Sequence, residues 1–224
     1  MSETVPVITV DGPSGSGKGT ISGRLAEELG WHVLDSGALY RLTAYAARKN
    51  GIDFNKPFQV AEIARNLHVD FDRGGILLDG EDVSLAIRTE QAGNDASRVA
   101  AMNEVRAALL EWQREAAIAP GLIADGRDMG TTVFPKAPLK VFLTASAEER
   151  AKRRHKQLKE KGMASNIADL AAEIRERDER DRTRAASPLV PAEDAMLIDS
   201  TSVTIDEVVA EIMRAARERS LVKR

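Results

Sequence analysis

The sequence predicts an α/β protein, a three-layer sandwich with a central parallel sheet and a small α+β insert. Three observations predict it. Short apolar runs alternate with apolar residues at helical spacing, the rhythm of strand-helix-strand units. A glycine-rich stretch, Gly12-Pro13-Ser14-Gly15-Ser16-Gly17-Lys18-Gly19-Thr20, joins the first run to the first helical stripe. The alternation then breaks once, at a hairpin pattern that a parallel sheet cannot hold.

The elements follow in order. Val5 to Val10 reads as a buried strand ending at Asp11-Gly12. From Thr20, the residues Ile21, Leu25 and Leu29 recur at helical spacing until Gly30 stops them. Trp31 to Leu34 is a second strand, closed by Asp35-Ser36-Gly37, and Leu39, Leu42 and Ala46 mark a second helix ending before Gly51. Between about Phe58 and Val99 the rhythm changes. A short helix (Val60, Ile63, Leu67) precedes two strands around Arg73-Gly74-Gly75. A long helix follows, with Asn103 as its cap and Val105, Leu109, Trp112 and Ala116 on one face, ended by Pro120-Gly121. Leu122 to Ala124 and Leu139 to Leu143 are further buried strands. Ser146-Ala147-Glu148-Glu149 fits a capping box and opens a basic helix. Gly162 to Ser187 is charged and mostly helical, Met196 to Ile198 is a last strand, and Thr204 to Glu207 caps a final helix with Val208, Ile212 and Met213 inward.

Bulk composition narrows the classes. With 224 residues, 43% hydrophobic and 30% charged, the chain has enough apolar surface for one full core. Aromatics are only 4%, so aliphatic residues must fill that core. There is no cysteine, which excludes disulfides, thiolate metal sites and cysteine nucleophiles and is compatible with a cytoplasmic location. Met1-Ser2-Glu3-Thr4 carries no basic-then-apolar pattern, so no secretory leader is expected, and no apolar run is long enough for a bilayer. The net charge of -3 and the scarcity of aromatics speak against a nucleic-acid binder. From Arg150 to Lys161 there are seven Lys or Arg against one acid, Glu160, which reads equally as the wet face of a helix or as a phosphate-facing stretch.

The chemistry sits in the glycine-rich stretch. Its place between a strand and a helix is that of a phosphate-binding loop. Glycines let the backbone curl so that successive N–H groups point at phosphate oxygens, and the helix N-terminus adds partial positive charge. Lys18 can reach the outer phosphates of a nucleotide. Gly19 stands where Ser or Thr commonly ligates magnesium, with Thr20 one place later, so direct magnesium ligation by this loop stays open. Lys-Gly-Thr resembles nucleoside monophosphate kinases more than GTPase switches.

Beyond the loop, the chain resembles the bacterial cytidylate kinases over nearly its whole length. The residues that carry this are Asp11 to Thr20, Leu34-Asp35-Ser36-Gly37-Ala38-Leu39-Tyr40-Arg41, Ile123-Ala124-Asp125-Gly126-Arg127-Asp128-Met129-Gly130, and Ile174 to Arg184 followed by Pro188-Leu189. The resemblance implies one P-loop kinase domain over residues 1–224, with a nucleoside-monophosphate-binding insert near 58–99 and a short helical lid near 162–187. It implies transfer of a phosphoryl group from ATP to CMP or dCMP, by a cytoplasmic monomer with magnesium as cofactor and no nucleic-acid or membrane partner.

Roles follow from the same resemblance. Gly12 to Thr20, with Arg153 and Arg154, match residues that hold ATP. Ser36, Tyr40, Arg41, Arg127 and Arg184 match residues around the acceptor nucleotide, with Lys18, Arg127 and Arg184 nearest the transfer. Ser97, Arg106 and Asp128 match residues that contact cytosine, and Arg177 and Asp181 match residues near the ribose. On the residues alone, Ser97 and Arg106 read as well as ordinary helix surface, and Arg127 with Asp128 as a structural ion pair. Thr20 and Asp125 are the candidate magnesium ligands, directly or through water; Asp125 reads equally as a turn-stabilising acid. His32, His68 and His155 are scattered and read as packing or surface residues. Other acceptors (UMP, AMP or a shikimate-like molecule) remain alternatives. A nucleotide-dependent switch is disfavoured by the absence of an Asn-Lys-x-Asp segment.

Overall fold

The structure, a computed structural model, describes residues 5–72, 75–160 and 162–222, with the side chain of residue 72 excepted. The N-terminal Met1-Ser2-Glu3-Thr4, the hairpin tip at Arg73-Gly74 and the end of the basic run at Lys161 lie outside the described residues. In chain order the elements are β1 (Val7–Asp11), α1 (Lys18–Leu29), β2 (His32–Asp35), α2 (Ser36–Lys49) and α3 (Pro57–Arg65). Then come β3 (Val69–Asp72), β4 (Gly75–Leu78), β5 (Glu81–Asp82), α4 (Glu90–Val99) and α5 (Asn103–Glu115). The chain finishes with β6 (Leu122–Gly126), β7 (Leu139–Thr144), α6 (Ala147–Glu160), α7 (Ile167–Thr183), β8 (Met196–Asp199) and α8 (Ile205–Glu218). These form two compact units, one of Met1–Asp35 with Glu115–Arg224 and one of Ser36–Arg114. The stretch 58–99 lies within the second and 162–187 within the first.

The first unit is the predicted sandwich. Its five strands run in the order β2-β6-β1-β7-β8, and every pairing is parallel. Position in the sheet explains the sequence pattern. Central β1 is covered on both faces, so all five of its residues are buried and it reads as a continuous apolar run. The edge strands β2 and β8 leave Val33 and Leu197 exposed. Ile8, Val10, Ile123 and Leu143 pack with Ile21 and Leu25 of α1 and with Val208, Ile212 and Met213 of α8. Truncating any fully buried member, such as Ile8 to Ala, is expected to cost about 2–5 kcal/mol. The Thr204 capping box is complete: Thr204 Oγ1 accepts from Glu207 N, and Glu207 accepts in return from Thr204 N. The box expected at Ser146 is half formed. Ser146 Oγ accepts from Glu149 N at 3.1 Å, but Ser146 N donates to Thr201 Oγ1 while Glu149 pairs with Arg153.

The second unit holds the antiparallel sheet β3-β4-β5, one strand more than the sequence suggested. Leu42, Ala46, Leu78, Val83 and Ile87 form its core. Helix α4 was not foreseen; it packs on α2. Arg48 of α2 grips the 2%-exposed Asp95 of α4 through Nε and, at 2.7 Å, through Nη2, and Gln91 adds a bond at 3.0 Å. On α5, Trp112 faces outward rather than inward, 39% exposed with its ring 6.2 Å from that of Phe71. Gln113 takes the buried place, its Nε2 turned back to Leu109 O at 3.2 Å.

Candidate active site

Strand β1 leads straight into the glycine-rich loop. Gly12 has φ 149°, and a Cβ there would lie 1.9 Å from the Leu143 carbonyl oxygen of β7, so no side chain fits. Gly15 and Gly17 also have positive φ, and Gly17 leads directly into α1, which begins at Lys18, two residues earlier than the apolar spacing suggested.

Three of the loop's carbonyl groups are bonded by side chains. Ser16 Oγ and Lys18 Nζ donate to Pro13 O at 3.0 and 2.8 Å. Arg150 Nη1 donates to Ser14 O at 3.1 Å. Ser200 Oγ, just past β8, donates to Ser16 O at 3.0 Å, where Arg153 Nη1 also reaches at 3.4 Å. Arg153 is further held by Ser200 O at 2.5 Å, while Arg154 reaches Gln157. Arg150 is the surprise of the basic helix. It is 4% exposed, donates from Nε to Ala145 O, and makes a two-pronged pair with Asp178 of α7.

Charged groups gather at the ends of the central strands, as ligand-binding groups do in open parallel sheets. Asp35 and Asp125 stand at paired positions of β2 and β6. A Cβ on Gly19 would lie 3.7 Å from Asp125 Oδ2, so the absence of a side chain leaves the approach to this carboxylate open. Thr20 is exposed in the first turn of α1. Among the described residues, no group of three or more His, Asp or Glu is placed to hold a metal. Burial pushes the Lys18 ammonium down to about 8, with Asp125 pulling the other way. Burial also works against the charge on Arg127. Asp181 outweighs it, through its charge and a bond from Arg127 Nε at 2.5 Å, and holds the guanidinium pKa above its ordinary value.

Past β6 the chain makes a single π-turn, Met129–Val133, in which Asp128 O accepts from Thr132 N and Val133 N. Asp128 is 2% exposed. Asp11, at the end of β1, accepts from Met129 N at 2.8 Å and Gly130 N at 2.7 Å. Burial pushes Asp11 up to about 7, against those two amide bonds, which favour the carboxylate. Arg177 and Asp181 lie on α7, and Arg184 closes that helix with its Nε on Ser187 O at 2.9 Å. Lys18, Asp125, Arg127, Asp128, Arg177, Asp181 and Arg184 are thus all in the first unit.

The second unit carries the rest. Ser36 opens α2 and is buried, as are Tyr40 and, on α4, Ser97, while Arg41 is half-buried on α2. Arg106 of α5 lays its guanidinium 5.9 Å from the centre of the Tyr40 ring and donates to the Tyr40 hydroxyl at 3.3 Å. Sequence reasoning passed over Asp11 and Asp35 as turn residues, and it read Arg150 as a phosphate-facing or wet residue. The signal for Asp11 was an acid closing an apolar run.

A parallel sheet, a positive-φ glycine loop and a buried lysine at the head of α1 define a P-loop protein of the nucleotide-phosphate-binding class. The cytidylate kinase family profile matches residues 8–218. The chain is 57% identical to the cytidylate kinase of Stutzerimonas stutzeri, covering 99% of both chains. It is 56% identical to that of Edwardsiella ictaluri, covering 97% of this chain and 99% of the relative. The crystal structure of an uncharacterized protein from Eubacterium ventriosum superposes with a TM-score of 0.55 at 12% identity, covering 96% of this chain and 99% of that one, a likeness of fold alone. The chain belongs to the cytidylate kinase family.

Proposed function

We propose that the chain transfers the γ-phosphoryl group of ATP to CMP and dCMP, giving ADP with CDP or dCDP. The observation that carries this reading is the buried Asp128 beside Arg127, which Asp181 holds just past β6, in a chain of the cytidylate kinase family.

The acceptor phosphate is already an anion at neutral pH, with its second pKa near 6, so no strong base is needed. The obstacle is the repulsion between two polyanions, and catalysis is charge neutralisation and alignment. The loop from Gly12 to Thr20 cradles the ATP phosphates, with Lys18 leaving Pro13 O for the outer phosphates. Arg153 backs the loop, and Arg154 extends the cationic side of α6. Ser36, Arg41, Arg127 and Arg184 hold the acceptor phosphate through charge-assisted bonds. Asp128 accepts a hydrogen bond from the exocyclic amine of cytosine; uracil would turn a carbonyl oxygen toward the same carboxylate. Ser97 and Arg106 complete the base contacts, with Tyr40 steadying Arg106, and Arg177 with Asp181 attends the ribose.

Asp125 and Thr20 fit magnesium. They are hard oxygen donors, few enough to leave the ion its waters and phosphate oxygens, and the bare Cα of Gly19 keeps Asp125 approachable. When bound, magnesium neutralises charge between the transferring phosphates.

The same reading takes the insert near 58–99 and the lid near 162–187 to close over the nucleotides and exclude water. It takes the enzyme to be a cytoplasmic monomer that needs neither nucleic acid nor membrane. No helix among the described residues is long and apolar enough to cross a membrane. A coupled ADP-release assay with MgATP against CMP, dCMP, UMP and AMP tests the reading. CMP and dCMP should lead; equal turnover of UMP and CMP would defeat it.

A further inference from the structure

Asp11 sits one residue before the phosphate loop, yet both of its carboxylate oxygens face elsewhere. Oδ1 takes the Met129 amide and Oδ2 the Gly130 amide, at 2.8 and 2.7 Å, on a side chain only 5% exposed. These amides open the π-turn that follows Arg127-Asp128. The first N–H groups of any helical turn lack a partner within the turn and need one from outside. Asp128, at the start of this turn, makes no side-chain cap. Asp11 therefore caps the turn from a neighbouring strand.

The fit against β1 is close as well. A Cβ on Gly130 would lie 2.9 Å from Thr9 Oγ1 and 3.3 Å from Asp11 Oδ2, so the turn rests directly on β1. Met129 is fully buried. The short loop is thus pinned at its exit by Asp11 and near its start by the Arg127–Asp181 bond. Asp128 lies between those anchors.

We infer that Asp11 is a positioning residue for acceptor recognition: through the Met129 and Gly130 amides it aims Asp128, and with it Arg127, at the pyrimidine nucleotide. The inference rests on the reading of Asp128 and Arg127 given above. It separates Asp11 from the ATP-binding loop that it adjoins in sequence. A residue that served that loop would affect ATP, and one that served only stability would affect both substrates alike.

The test is Asp11→Asn, which keeps shape but sets an NH2 group against one of the two amide donors. The expected result is a fall of roughly tenfold to a hundredfold in kcat/KM for CMP, a narrowed preference for CMP over UMP, and an ATP KM within about twofold of the parent. Asp128→Ala and the double variant complete the set. Once Asp128 is gone, Asp11→Asn should cause no further loss of preference. Should Asp11→Asn not fold, as judged by circular dichroism, Gly130→Ala presses a methyl against Thr9 Oγ1 and Asp11 Oδ2, displaces the same amides and must give the same split. A raised ATP KM with an unchanged CMP preference in the folded variant would overturn the inference. If Asp128→Ala narrows the preference and Asp11→Asn does not, the inference alone fails. If Asp128→Ala leaves the preference intact, the base-reading role falls first and the inference with it.

Discussion

Arg150 Nη1 of α6 donates to the Ser14 carbonyl oxygen of the phosphate loop at 3.1 Å, and the same guanidinium holds Asp178 of α7. One buried cation therefore fixes the loop and α7 to a common point. Arg150, read from the sequence as part of a wet or phosphate-facing stretch, is a buried strut instead.

Arg150→Ala should strand the Asp178 carboxylate and two backbone carbonyls. Removing one partner of a buried pair costs about 3–5 kcal/mol. Denaturant unfolding should show that loss, and the ATP KM should rise as the loop loosens. Arg150→Lys should not restore either quantity, because an ammonium cannot span Ala145, Ser14 and Asp178 at once. Parent-like stability in Arg150→Ala would remove the strut.

Lys18→Met should lower turnover by about two to three orders of magnitude, the scale on which a single preorganised donor acts. Its stability should hold or rise, because the variant no longer buries an ammonium that burial disfavours and that donates to Pro13 O. Near-normal ADP release would show that Lys18 does not act on the transferring phosphate.

Arg48→Met should destabilise the second unit by about 2–3 kcal/mol, leaving buried Asp95 with the Gln91 bond alone among the described residues. Burial works against the Asp95 charge, but Arg48 wins and holds its carboxyl below the ordinary 3.8. A depressed carboxylate contributes stability above its unfolded pKa and loses it as pH falls. The gap between parent and Arg48→Met in a chemical melt should therefore shrink on acidification below about pH 4.

Asp11 runs the other way. Its native pKa is raised from 3.8 to about 7, so between those values the folded chain binds a proton that the unfolded chain has released. Stability from this group is then largest at low pH and declines as pH rises from about 4 to about 7, by a few kcal/mol at most. Relative to Asp11→Asn, which cannot titrate, the parent should lose stability across that window. A flat difference would show that the two amide bonds already keep Asp11 ionised throughout.

What the sequence made legible follows from what burial does to residue choice. The central strands and α1 were readable because β1, β6 and β7 are covered on both faces and must be apolar. Helix α4 was not. Its buried residues are Ala92, Gly93, Asp95, Ala96, Ser97 and Val99, small enough for close packing on α2 and too polar to give an apolar stripe. Trp112 and Gln113 exchanged places: the indole meets the Phe71 ring, and the buried amide donates from Nε2 to Leu109 O. The loop was legible from its motif, and the resemblance is what singled out Arg127 and Asp128. Asp11 and Arg150 were not, because each acts on backbone groups far along the chain, which local spacing does not encode.

The Pro13, Ser14 and Ser16 carbonyls are all engaged, by Lys18, Ser16, Arg150, Arg153 and Ser200. A cradle built this way offers its occupant main-chain amides, which have no side chain for selection to alter. It recognises a chain of phosphates and is blind to the sugar and base attached to it. Fidelity toward adenine in the donor must then be imposed by residues that never touch the cradle, and can drift in evolution without disturbing it.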